Sequence, residues 1–201
     1  VARRKGATSV PRMAANSNSV IIAGARTPIG KMSGALSSFS GAELGGFAIA
    51  AALERAGVAP EEVDHVIMGQ VLMAGQGQVP SRQAAVNAGI PMNVPAINVN
   101  KVCLSGLNSI YLANQMIATG EADIVVAGGM ESMSNAPYLA DGARSGFRYG
   151  NTELRDAIIA DGLWCAFDAC PREQPARGRL HAAVRPDEPR HGLTLRPHLL
   201  H

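Results

Sequence analysis

The chain has 201 residues, enough for one domain with a sizeable core, and its 47% apolar and 17% charged residues are the ordinary balance of a globular protein. No apolar run is long enough to span a bilayer, no apolar stretch follows the basic N-terminus as in a secretory signal, and three scattered cysteines make no disulfide framework, so the reading is a protein of the reducing cytoplasm with no membrane partner. The net charge of +2 hides a division: residues 1–18 carry +4, residues 171–201 carry +3 and the body between them −5, which removes overall basicity as an argument for binding nucleic acid.

Residues 1–18 are polar and lack periodicity, and read as a disordered leader, with Met13 as the expected natural start. From Ser19 the pattern predicts strands alternating with helices. Val20–Ala23 is a short apolar strand. Ala42–Ala56 is an alanine-rich helix stopped by Gly57. Val63–Met68 is a strand, and Ser81–Asn87 a helix with Ser81 as its N-cap and Gly89 as its stop. Ala96–Val102 is a strand, Leu104–Thr119 a long helix ended by Gly120, and Ile124–Ala127 a strand apolar enough to be buried on both faces. Thr152–Phe167 is expected to be helical. This alternation implies an α/β fold with a parallel or mixed sheet covered by helices.

Two connections are too long for simple turns. Gly69–Pro80 is rich in glycine and glutamine, and Glu131–Asn151 sets Tyr138, Arg144, Arg148 and Tyr149 among glycines. Long irregular segments of this kind are commonly functional. Residues 171–201 hold six arginines, five prolines and four histidines without any period, and read as a tail outside the fold, with the composition of a GC-rich gene translated out of frame. Zinc ligation by Cys165, Cys170, His181 and His191 fits no standard spacing, so no metal is expected.

The stretch Asn98-Val-Asn-Lys-Val-Cys103-Leu-Ser-Gly-Leu-Asn-Ser-Ile110 carries the most chemistry. It reads as a strand that stops and a helix that starts, with a thiol at the junction. Ala96, Ile97, Val99 and Val102 suit the strand, while Leu104, Leu107, Ile110 and Tyr111 recur at the spacing of a helix face packed on a core. A cysteine there meets the unsatisfied N–H groups and positive dipole end of the helix, which favour negative charge. Gly106 leaves room for a substrate to approach. On position alone, nucleophile and small buried residue stand about equal.

Three motifs in order break the tie: Val20-Ile-Ile-Ala-Gly-Ala-Arg-Thr-Pro-Ile-Gly30, Val99-Asn-Lys-Val-Cys103-Leu-Ser-Gly106 and Val125-Val-Ala-Gly-Gly-Met-Glu-Ser-Met133. Together they resemble the N-terminal half of a thiolase, of the acetyl-CoA acetyltransferase branch, from about Ser19 to Cys170. The resemblance implies a thiolase-like N-terminal domain over 19–130 and the start of a loop domain over 131–170. It implies that Cys103 takes the acyl group as a thioester, and that Leu163, in Asp161-Gly-Leu163, contacts the pantetheine arm of coenzyme A. It also implies acyl-CoA and CoA as substrates with no further cofactor, and a homodimer or homotetramer for the full-length family.

Claisen condensation and its thiolytic reverse need an acyl-accepting thiolate, a base for it, a second acid/base at the α-carbon or incoming thiol, and oxyanion donors. In thiolases the groups beyond the nucleophile come from an Asn-Glu-Ala-Phe segment, a Gly-His-Pro histidine and a Cys-x-Gly cysteine, none of which occurs in these residues. His65 lacks that context, as do Cys165 and Cys170. The expectation is an acyltransferase by family in a truncated chain that is inactive alone and exposes a large apolar face. The alternatives are a ketoacyl-synthase-like condensing enzyme, a non-catalytic thiolase-like fragment, and a dinucleotide-binding module at Gly24–Gly30, whose glycine spacing is wrong and which holds Pro28.

Overall fold

A computed structural model describes residues 19–166. The readings of the leader, of the tail beyond 170, and of Cys170, His181 and His191 lie outside those residues.

Three helices and a three-stranded sheet make up the body. Helix α1, Gly41–Ala56, opens on a capping box: the Ser40 hydroxyl accepts from the Glu43 N–H while the Glu43 carboxylate accepts from the Ser40 N–H at 2.8 Å. It ends where Gly57 turns left-handed at φ 66°. Strand β1 is His65–Gly69, helix α2 is Pro80–Asn87, strand β2 is Ala96–Val99, helix α3 is Ser105–Thr119, closed by Gly120 at φ 73°, and strand β3 is Val125–Gly129. The sheet is parallel throughout in the order β2-β1-β3, with Val66 opposite both Ala96 and Val126. The chain crosses outward from β1 to β2 through α2 and returns past β1 to β3 through α3. Right-handed crossovers running in opposite directions put these helices on opposite faces of the sheet. A short antiparallel pair, β4 (Tyr138–Leu139) and β5 (Arg155–Asp156), follows.

The core lies on one face. Val66 and Met68 of β1 pack with Ala42, Ile49 and Leu53 of α1, Ala84 and Ala85 of α2, and Ile90, Val94 and Met130. Alternation turns Ile67 and Gly69 to the other face, against α3. The approach there is close. A β-carbon on Gly69 would lie 2.4 Å from the Ser105 carbonyl carbon and 2.5 Å from the Gly106 nitrogen, and one on Gly129 would lie 3.2 Å from the Gly106 Cα.

Five sequence expectations change. Val20–Ala23 forms no strand: it pairs with neither outer edge of the β2-β1-β3 sheet, and Val20, Ile21 and Ile22 are exposed, Ile21 by 80%. Ser81 is not the cap of α2. That place belongs to Val79, in the left-handed region at φ 42°, while the Ser81 N–H donates to Asn98 Oδ1 at 3.0 Å and ties α2 to β2. The large apolar residues of α3 do not face the core. Leu104, Leu107, Ile110 and Tyr111 are exposed, Leu107 by 63%, and the buried residues are Ser105, Ser109 and Ala113, because a helix this close to the sheet admits only small side chains. β3 is half-buried rather than covered on both faces. Residues 152–166 are not one helix: β5 intervenes, followed by a π-turn at Ile158–Leu163 closed by the Trp164 N–H on the Ile159 carbonyl.

Gly69→Ala should cost about 1–3 kcal/mol by forcing α3 off the strand ends, whereas Gly24→Ala, with open space around it, should change stability little. Denaturant melts of the two variants test this, and equal effects would contradict the close approach.

Candidate functional site: the turn before helix α3

Parallel strands deliver their C-terminal ends to one edge of the sheet, the usual place for chemistry in α/β folds. Here β1 ends at Gly69, β2 at Val99 and β3 at Gly129, and the N-terminus of α3 is seated on them. The Ser109 hydroxyl fastens the helix by donating to the Gly128 carbonyl at 2.8 Å. The turn Asn100–Leu104 connects β2 to α3 at this edge, and Cys103 lies on it, exposed, two residues before the helix begins.

The turn is strained at one residue. Val102 has φ 49°, a left-handed conformation that a β-branched side chain rarely adopts. Such a state costs about 1–3 kcal/mol and persists only where its surroundings over-determine it. Both ends of Val102 are held: its N–H donates to Asn100 Oδ1 at 3.0 Å, and its carbonyl accepts from the Ser105 hydroxyl at 2.5 Å and the Ser105 N–H at 3.1 Å. The Ser105 hydroxyl also accepts from the Lys101 N–H at 2.8 Å.

The loop leaving β1 braces this turn. Asn100 Nδ2 donates to the Val71 carbonyl at 3.4 Å. Glu131, just beyond β3, takes the Val71 N–H at 2.9 Å and the Leu72 N–H at 3.3 Å. Burial pushes the Glu131 carboxyl up from the ordinary glutamate value, and the two backbone N–H groups pull against that rise. With its oxygens committed to Val71 and Leu72, Glu131 is a brace rather than a free base. At the opposite end of the sheet, the Ile124 N–H and, less strongly, the Asp123 N–H hold the Asp64 carboxyl below its ordinary value.

The structure brings one further predicted segment to this place. A β-carbon on Gly162 would lie 3.3 Å from Leu72 Cδ2 and 3.9 Å from Val71 Cγ1, so Asp161-Gly-Leu163 packs on the stretch that Glu131 and Asn100 hold. Leu163 ends the π-turn there with its side chain exposed. His65 starts β1, at the edge of the sheet remote from Cys103, and its Nδ1 is buried without a partner. Gly24–Gly30 is irregular and follows no strand, which removes the context a dinucleotide fingerprint needs. Cys165 is a free, exposed thiol. Among the described residues no cluster of histidine, cysteine or carboxylate could hold a metal ion.

Asn100, Ser105 and Glu131 received no role from the sequence, although Asn100 two residues before Val102 has the spacing of an Asx turn. Glu131 stood within a quoted motif, but nothing in its neighbours signals a bond to residues sixty positions earlier.

Residues 19–179 match the family model described as thiolase, N-terminal domain. The chain belongs to the thiolase family. It is 55% identical over 152 residues to a protein of Mycolicibacterium smegmatis named probable acetyl-CoA acetyltransferase, covering 76% of this chain and 39% of that protein. The acetyl-CoA acetyltransferase of Cupriavidus necator is 55% identical over 149 residues, covering 74% and 38%. The probable acetyl-CoA acetyltransferase of Escherichia coli strain K12 is 51% identical over the same length, with the same shares. The chain thus spans about two fifths of the length of these relatives.

The Glu131 brace gives a pH signature. Its carboxyl holds a proton more tightly folded than unfolded, so its contribution to stability is full below the ordinary value of 4.5 and is lost as pH rises through the higher folded value. The stability gap between the parent and Glu131→Gln should therefore shrink as pH rises from about 4 to neutrality. Melts of both proteins across that range decide it, and a gap that widens would contradict the burial of Glu131.

Proposed function

We propose that this chain is the nucleophile-bearing part of a thiolase-type acyltransferase that forms or cleaves 3-ketoacyl-CoA through an acyl-cysteine intermediate. The single observation that carries the reading is the exposed Cys103 on a strained turn at the C-terminal edge of a parallel sheet, in a chain of this family whose relatives are named acetyl-CoA acetyltransferases. In the reaction, the Cys103 thiolate attacks the carbonyl carbon of acetyl-CoA. The carbon–sulfur bond to CoA breaks, and CoA leaves as its thiol after taking a proton. A second acetyl-CoA, having lost a proton at its methyl carbon, then attacks the acyl-cysteine, releases Sγ and leaves as acetoacetyl-CoA. Thiolysis is the reverse.

In this reading the Cys103 N–H is one oxyanion donor and Leu163 lies along the pantetheine arm, a role supported by the packing of Gly162 on Val71 and Leu72. Residues 19–130 form the nucleophile domain and 131–170 begin the loop domain over coenzyme A. The substrates are CoA thioesters, no other cofactor takes part, and the setting is the cytoplasm, as a homodimer or homotetramer of the full-length enzyme. The base for Cys103 and the acid/base at the α-carbon have no counterpart in these 201 residues. A condensing enzyme of the ketoacyl-synthase type is the second reading, sharing fold class and nucleophile, and the Gly128-Gly-Met-Glu-Ser-Met133 run favours thiolase over it.

The 201-residue chain alone should give no detectable thiolysis of acetoacetyl-CoA by CoA. Each absent acid or base is worth about 10²–10⁴ in rate and each absent oxyanion donor about 10²–10³. Supplying the C-terminal half of one of the relatives should produce turnover that Cys103→Ala abolishes, with the acetyl group mapped by mass spectrometry to Cys103. Turnover by the chain alone, or acetylation at Cys165 instead, would overturn the proposal.

A further inference from the structure

We infer that Asn100 is a positioning residue for Cys103, holding Val102 in its left-handed conformation so that the thiol stays presented at the edge of the sheet. The inference rests on Cys103 being the reacting residue and adds the part of the chain that sets its geometry.

Val102 is where the turn departs from what its side chain prefers, at φ 49°. That angle is rotation about the bond from its own nitrogen, so a bond to its N–H fixes one side of the rotation and a bond to its carbonyl the other. Ser105 holds the carbonyl through two donors. Asn100 holds the N–H at 3.0 Å. The same amide reaches the Val71 carbonyl at 3.4 Å, which fixes the Asn100 side chain to the loop that Glu131 clamps through the Val71 and Leu72 N–H groups. A chain of contacts thus runs from the end of β3, through the exit of β1, to the residue before Cys103. Without the Asn100 acceptor, one side of Val102 is free and the ordinary extended region opens to it. The Cα–Cβ direction of Cys103 follows that rotation, so the presented conformer becomes a minor one.

The test is the rate of alkylation of Cys103 by iodoacetamide in the 201-residue chain, read by peptide mass mapping with Cys165 of the same molecule as reference. Asn100→Ala should lower the Cys103 rate relative to Cys165 by about tenfold, a population shift of about 1.4 kcal/mol. The decisive variant combines Asn100→Ala with Val102→Gly. Glycine adopts a left-handed φ without steric cost, so the double variant should recover most of the parent rate. A role of Asn100 in general stability would not be recovered in this way.

If Asn100→Ala loses the parent's melting profile, Asn100→Gln carries the same comparison, its amide set one methylene too far out for the turn. A Cys103 rate unchanged in Asn100→Ala, or lowered but not recovered by Val102→Gly, would overturn the inference. Alkylation needs the Cys103 thiolate but none of the acid/base groups of acyl transfer. Failure of thiolysis in the complemented protein would therefore count against the acyltransferase reading and leave this measurement standing.

Discussion

The close seating of α3 on the strand ends governs most of what else is seen. Gly69, Gly106 and Gly129 meet here, and a side chain on Gly69 would push the helix away while one on Gly129 would crowd Gly106. This contact brings the start of α3 to the sheet's C-terminal edge and shortens the connection from β2 to a five-residue turn. A turn that short cannot relax all its residues, and the misfit falls on Val102. The same contact decides which face of α3 can be buried. Serine and alanine fit against the sheet, and the larger apolar residues are left on the outer side.

Much of this architecture was legible in the sequence because it rests on local rules. Alanine-rich periodicity ended by glycine located α1, and Gly120 located the end of α3. Apolar runs between them gave β1 and β3 within two residues, while β2 stops at Val99, three residues before the expected Val102, where the turn to α3 begins. What failed depended on contacts between distant segments. Val20–Ala23 has the composition of a strand, but a strand needs an edge to pair with, and composition says nothing of that. The apolar stripe of α3 was correctly periodic and wrongly oriented, since period identifies a face without saying what faces it.

The candidate site divides in the same way. The place of Cys103, exposed between a strand and a helix, was legible because an apolar run that gives way to helical spacing marks that junction. The residues that hold it were not. Ser105 acts through a reversed local bond, Asn100 through an Asx turn continued to a residue 29 positions away, and Glu131 across 60 positions. Sequence spacing alone cannot show such bonds. The motifs pointed to Cys103, while the residues that hold its turn come into view only in the folded chain.

The order β2-β1-β3 also has a consequence for how the chain acquires its structure. The central strand finds its neighbours 30 and 60 residues further along, Ala96 and Val126 against Val66. Neither pairing can form as a hairpin. Both require closing a long loop before any ladder bond rewards it, and such non-local topology folds slowly. During synthesis β1 emerges well before either partner, with Val66, Ile67 and Met68, later wholly or almost wholly buried, exposed to water. Through that interval β1 is an apolar segment without the partners that later bury it.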